Sequence, residues 1–202
     1  MIHLYIVRHG ETEENVAGIL QGHLQGHLTE RGRQQARDLR DKIQRSIHPQ
    51  ALFTSDLQRT LDTANILNEA FQLPLRPSPL LRERDWGEYT GHDIATLPKG
   101  EFPPSVESVP LMMLRAKKFL SNLYCEFAGT DTEVLLVSHG VFSRCLQAAA
   151  LEKNIWEIPK IQNGEMCHIA LTASILETYE APGSGQYKQY DHTESLSNGK
   201  EN

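Results

Sequence analysis

The chain has 202 residues, 39% of them hydrophobic and 23% charged, with a formal net charge of −6. That length and balance describe a globular domain able to bury about 70% of the surface its unfolded chain exposes. The negative sign argues against nucleic acid or an anionic membrane as partner, yet a local cluster of arginines can still hold a small anionic substrate.

Three cysteines, Cys125, Cys145 and Cys167, stand far apart without C-x-x-C spacing. They suggest neither a disulfide framework nor a zinc site, and point to a reducing compartment. No apolar run approaches the roughly 20 residues that span a bilayer, and the apolar start is too short for a signal-peptide core. A cytoplasmic protein is expected.

In chain order, residues 2–7 are apolar and β-branched, as in a central strand covered on both faces. The strand ends at Arg8-His9-Gly10. A Gly- and Gln-rich loop follows, and Thr29 with Glu30 opens a helix to about residue 47 whose apolar face is Ala36, Leu39, Ile43 and Ile47. Residues 51–54 form a second strand and 56–71 a second helix. A third strand is expected over 73–76, restricted by Pro74 to an edge or a strand start; Pro77 and Pro79 then break regular structure. Residues 80–91 read as a charged, aromatic loop. A helix covers roughly 106–127, with Pro110 tolerable only in its first turn. Residues 133–138 form a strand ending at His139-Gly140, a helix follows to about 151, and 166–171 and 175–179 look like two last strands. One domain over 1–180 is expected, followed by a polar, loosely attached tail over 181–202. The alternation of strands and helices implies an α/β fold: a mostly parallel sheet with helices on both faces, in three layers.

Two buried strands thus each end in His-Gly, and open α/β sheets bind ligands at that edge. Arg8 adjoins the first pair, and Arg59 opens the helix after the second strand. Two histidines and two arginines at one edge can face one crevice, and four unrelated strand-end residues become an improbable reading.

Arg8-His9-Gly10-Glu11-Thr12 with Asn15 resembles the signature of the histidine phosphatase superfamily, also called phosphoglycerate mutase-like. The resemblance continues in order through Gln21-Gly22, Leu28-Thr29-Glu30-Arg31-Gly32, Ser55-Asp56-Leu57 before Arg59, Leu81-Arg82-Glu83-Arg84 before Trp86-Gly87, and Val137-Ser138-His139-Gly140. It implies His9 as the nucleophile that becomes phosphohistidine, Arg8, Arg59 and His139 as charge-stabilising partners, and Asn15, Gln21 and Gly140 as substrate-binding groups. Gln21 has an equal alternative role in stabilising its loop. Glu83 would protonate the leaving oxygen and then deprotonate the attacking water. It is preferred to Glu88, Glu11 and Glu107 because it matches the family's Leu-x-Glu position; Glu11 suits a local hydrogen-bonding role. Planar guanidinium groups suit bidentate phosphate contacts, and nearby cations favour a neutral, nucleophilic imidazole.

The family often has Asp at the place of Gln25 and Pro at the place of His27. His23 and His27 stand four apart, as in a helical metal pair, but the surrounding glycines indicate a loop and no third ligand is evident. No metal or cofactor is expected. Mutases of the family carry a longer, basic insertion after the Glu-containing loop, whereas here Lys99 is the single Lys or Arg between His92 and Val109. The expectation is therefore a phosphatase acting on small phosphorylated metabolites. Alternatives are a phosphoglycerate mutase, a metal-dependent hydrolase or an inactive phospho-ligand binding module on the same fold. Sugar bisphosphates, phosphoglycerates, ribazole phosphate and broad monoester hydrolysis all stay open, as does monomer against homodimer.

Overall fold

The computed structural model describes residues 1–98 and 100–177. Its frame is a five-stranded sheet of order β3-β2-β4-β1-β5. The strands are Ile2–Arg8 (β1), Ala51–Ser55 (β2), Leu75–Ser78 (β3), Thr132–Ser138 (β4) and Met166–Leu171 (β5). The first four run parallel, and β5 pairs antiparallel with β1. In chain order the helices are Glu13–Val16 (α1), Glu30–Ile43 (α2), Gln58–Asn68 (α3), Val109–Phe127 (α4), Gly140–Leu151 (α5) and Ser174–Glu177 (α6).

The apolar runs of β1, β2 and β4 are continuous because helices cover both faces. On one face Val7, Leu52 and Val137 meet Leu39 and Ile43 of α2 and Leu67 of α3. On the other, Leu4, Ile6 and Leu136 meet Met112 and Leu120 of α4 and Leu146 of α5. The chain leaves β1 past β4 to pair at β2, moves outward to β3, and then returns to β4. β1 and β4 are therefore neighbours whose following helices, α2 and α5, lie on opposite faces. That divergence opens a crevice at their carboxyl ends.

Several boundaries differ from the sequence reading. α2 stops at Ile43 because the Ser46 amide and hydroxyl both bond to the Ile43 carbonyl; Ile47 is buried beyond the helix. β3 starts two residues late because the Asn68 side chain holds both the N–H and the carbonyl of Leu73. Pro77 lies inside β3, where an edge strand tolerates it. Pro110 falls in the first turn of α4, behind the Ser108 cap. The strand expected over 175–179 is not formed in its described part. Ile175 lies in α6, its side chain buried in the α4–α5 core after a turn from Thr172. The remainder of that stretch, and the polar tail over 181–202, lie outside the described residues.

Candidate active site

Arg8 of β1 stands in register with Ser138 of β4. The next residue on each strand is a histidine, and the two rings meet edge to face with centroids 5.3 Å apart. Both are buried, at 3% and 0% exposure for His9 and His139. The backbone holds the pair: the His9 amide donates to the Ser138 carbonyl at 3.0 Å, and the Gly10 amide donates to Thr63 Oγ1 of α3 at 3.1 Å.

His9 Nδ1 lies 2.7 Å from the Gly10 carbonyl oxygen. A carbonyl only accepts, so Nδ1 carries the ring proton and Nε2 keeps its lone pair. In His139 the order is reversed. Arg59 Nε donates to His139 Nδ1 at 3.2 Å, which puts the proton on Nε2. That Nε2 is buried without a partner, and so is Arg8 Nε. Buried donors without acceptors are costly and uncommon. Two of them beside the lone pair of His9 Nε2 are positioned to receive an anion.

Burial, then the charges of Arg59 and Arg8, hold the His9 imidazole well below its ordinary value near 6.5. Burial, Arg59 and His9 do the same for His139. Burial pushes the Arg59 guanidinium down to about 10, which leaves it charged at neutral pH.

Arg59 is less available than a bidentate phosphate clamp requires. Its NH1 donates to the carbonyls of Leu24 and Gln25, and NH2 to that of Gly22 at 2.9 Å. With Nε on His139, one N–H of the fork remains. The side chain organises the Gly22–Gln25 loop as much as it faces the crevice.

Arg8 NH1 donates to the Ile161 carbonyl at 3.0 Å, and its guanidinium packs flat over Gly140. A Cβ on Gly140 would sit 3.3 Å from both Arg8 Nε and Cζ, so glycine permits the approach. Gly140 opens α5, and an amide at that position has no intrahelical acceptor. Glu83 occupies the next two: its carboxylate accepts from Val141 at 3.1 Å and Phe142 at 3.0 Å, and from the Arg84 amide at 2.9 Å. The carboxylate thus rides on the positive end of α5, adjacent to His139.

Asn15 accepts through Oδ1 from the Thr12 amide and from Asn163 Nδ2, its backbone N–H donates to Thr12 Oγ1, and its side-chain Nδ2 has no partner among the described residues. Gln21, 8% exposed, packs against Gly26 beside Arg59, and its Oε1 has no partner. All eight expected residues therefore belong to one run of contacts. The competing carboxylates are engaged by other partners: Glu11 accepts from Thr29, Glu88 from Ser105, and Glu107 pairs with Arg115. His23 contacts the Glu83 carbonyl while His27 pairs with Glu14. Among the described residues no group of three His, Cys, Asp or Glu is placed to hold a metal, and no helix is long and apolar enough to cross a membrane.

Sequence reasoning missed Asn163. Its Nδ2 donates to the carbonyls of His9 and Gly10 as well as to Asn15. The Asn163-Gly164 pair does signal a turn, and Gly164 adopts φ +72°, but nothing local says that the turn wraps His9.

The family model described as "Histidine phosphatase superfamily (branch 1)" matches residues 4–175. The chain belongs to the histidine phosphatase superfamily. It is 34% identical over 166 residues to the protein named "Probable phosphoglycerate mutase GpmB" of Proteus mirabilis, covering 75% of each chain. Among solved structures it is similar to a mycobacterial glucosyl-3-phosphoglycerate phosphatase, Rv2419c, complexed with VO3 (TM-score 0.76, 27% identity, 86% of this chain and 93% of that one). It is also similar to the alpha-ribazole phosphatase of Shigella flexneri (TM-score 0.73, 25% identity, 85% and 91%). By family and fold the chain is an enzyme of the histidine phosphatase type.

Proposed function

We propose that the chain hydrolyses phosphate monoesters of small metabolites through a phosphohistidine on His9. Nε2 of His9 attacks phosphorus in line, forming an N–P bond as the ester P–O bond breaks. The N–H donors of Arg8 Nε and His139 Nε2 take the equatorial oxygens, where charge accumulates. The Gly140 amide, Asn15 and Gln21 add neutral donors, and Arg59 fixes the tautomer of His139 and supplies its one remaining N–H. Glu83 protonates the leaving oxygen, then takes a proton from the water that cleaves the N–P bond. The observation that carries this reading is the pairing of a lone-pair-bearing Nε2 on His9 with two buried, unpartnered N–H groups beside it.

The test is phosphate release from a panel of phosphorylated metabolites with EDTA present, comparing wild type with His9→Ala. Release that disappears in the variant is expected. Equal release by both proteins removes His9 as nucleophile, and loss on chelation reassigns the chain to metal-dependent hydrolysis.

A second reading, mutase activity, is favoured by the 34% identity to a protein named as a phosphoglycerate mutase. With a phosphoglycerate and a bisphosphate primer, isomer interconversion faster than phosphate release would establish it.

A further inference from the structure

Arg115 of α4 and Glu107 form a bidentate ion pair, Nε to Oε1 at 3.0 Å and NH2 to Oε2 at 2.8 Å. Both side chains are largely buried, at 16% and 15% exposure. The pair's other bonds all run to one segment of chain. Arg115 NH1 donates to the carbonyls of Leu80 at 3.0 Å and Arg82 at 2.6 Å, and NH2 to that of Glu83 at 3.3 Å. Glu107 accepts the Asp85 amide on Oε2, and its backbone carbonyl accepts Arg84 Nε at 2.7 Å. The Arg115 guanidinium also lies 3.9 Å over the ring of Phe142, the residue whose amide donates to the Glu83 carboxylate. One planar fork therefore fixes Glu83 from its backbone side and packs on the helix turn that grips its carboxylate. A lysine ammonium could not reach three carbonyls and a carboxylate in that plane.

We propose that Arg115, backed by Glu107, is the positioning residue for Glu83 as proton donor, and that this clamp tunes the site to alkyl phosphates, whose leaving alkoxide needs a proton. The proposal rests on Glu83 being the general acid. A 1 Å displacement of such a group costs orders of magnitude only where proton delivery limits the rate.

The test compares kcat/KM for an alkyl ester, glycerol 2-phosphate, with that for p-nitrophenyl phosphate, whose phenolate departs unprotonated. Wild type, Glu83→Gln, Arg115→Lys and Glu107→Gln are measured, with folding checked by circular dichroism. The ratio of p-nitrophenyl to alkyl kcat/KM should rise about tenfold or more in Arg115→Lys and Glu107→Gln, toward the roughly 100- to 10,000-fold that general acid catalysis supplies. Should Arg115→Lys fail to fold, Glu107→Gln carries the comparison. If Glu83→Gln moves the ratio while the clamp variants lower both substrates equally or neither, Arg115 is only structural and the proposal is overturned. If Glu83→Gln itself leaves the ratio unchanged, the assignment of Glu83 is overturned and the proposal with it.

Discussion

At the scale of single residues, the crevice is built by groups whose hydrogen bonds leave one useful atom free. His9 gives Nδ1 to Gly10, His139 gives Nδ1 to Arg59, and Asn15 gives its oxygen to Thr12 and Asn163. Asn163 is the connection between the first and the last of these. Asn163→Ala should lower kcat/KM by about fivefold, the worth of one hydrogen bond of about 1 kcal/mol, with a small change in melting temperature. Steady-state kinetics beside a thermal melt check this; an unchanged kcat/KM would mean that Asn163 shapes only its own turn. His9 and His139 were legible in the sequence because two apolar strands point straight at them. Asn163 was not, because it acts on chain far away in sequence; Glu107 stood out as a candidate carboxylate, but its pairing with Arg115 around residues 80–85 did not. Arg59 was legible as a cation at the shared edge but not as the organiser of residues 22–25, since its carbonyl partners carry no side-chain signal.

The secondary-structure elements place these atoms through a few close backbone approaches. The loop after β1 lies directly on the start of α2. The Thr29 amide donates to the Glu11 carbonyl at 3.0 Å and Gln35 Oε1 accepts the Glu11 amide at 2.8 Å. A Cβ on Gly32 would run into the Glu11 carbonyl, and one on Gly10 into the Gly32 carbonyl. Neither glycine has positive φ, so the requirement is space and not backbone freedom. Gly32→Ala should therefore cost about 1–3 kcal/mol, as overpacking does, and should lower activity because the displaced loop carries His9. Urea denaturation and phosphate-release rates on the same preparation measure both. A neutral substitution would show that α2 can retreat without moving the loop. Element identity was legible wherever the apolar pattern was strong, periodic in α2 and unbroken in β1 and β4. It failed at residues 175–177, read as the start of a last strand; Ser174–Glu177 is helical, with Ile175 buried against α4 and α5.

For the whole molecule, the sheet order makes β1 and β4 neighbours with helices diverging from their ends, and so decides that both histidines are buried. The order of the inner strands could not be read from the sequence, because β1, β2 and β4 have the same apolar character; only the chemistry of the shared edge hinted at adjacency. Burial has a thermodynamic consequence. His9 and His139 are held neutral in the folded protein, with affinities for protons well below the ordinary histidine value near 6.5. In the unfolded chain both take up a proton as pH falls through that value, and the folded chain does not. The unfolded state then binds more protons, so stability falls with decreasing pH, by up to about 1.4 kcal/mol per pH unit for each histidine. Carboxylates act in a lower window. Asp56, held down by Arg82, and Glu126, held down by Arg76, lose their stabilisation only below their ordinary values of 3.8 and 4.5. Between pH 6.5 and about 5 the two buried histidines therefore set a slope that these carboxylates do not. Urea denaturation of the ligand-free protein across that interval should show declining stability. His139→Asn, which keeps an acceptor for Arg59 but cannot titrate, should have a shallower slope whatever its absolute stability. An identical slope in the variant would mean that His139 takes up its proton inside the fold, with the crevice admitting water to the ring.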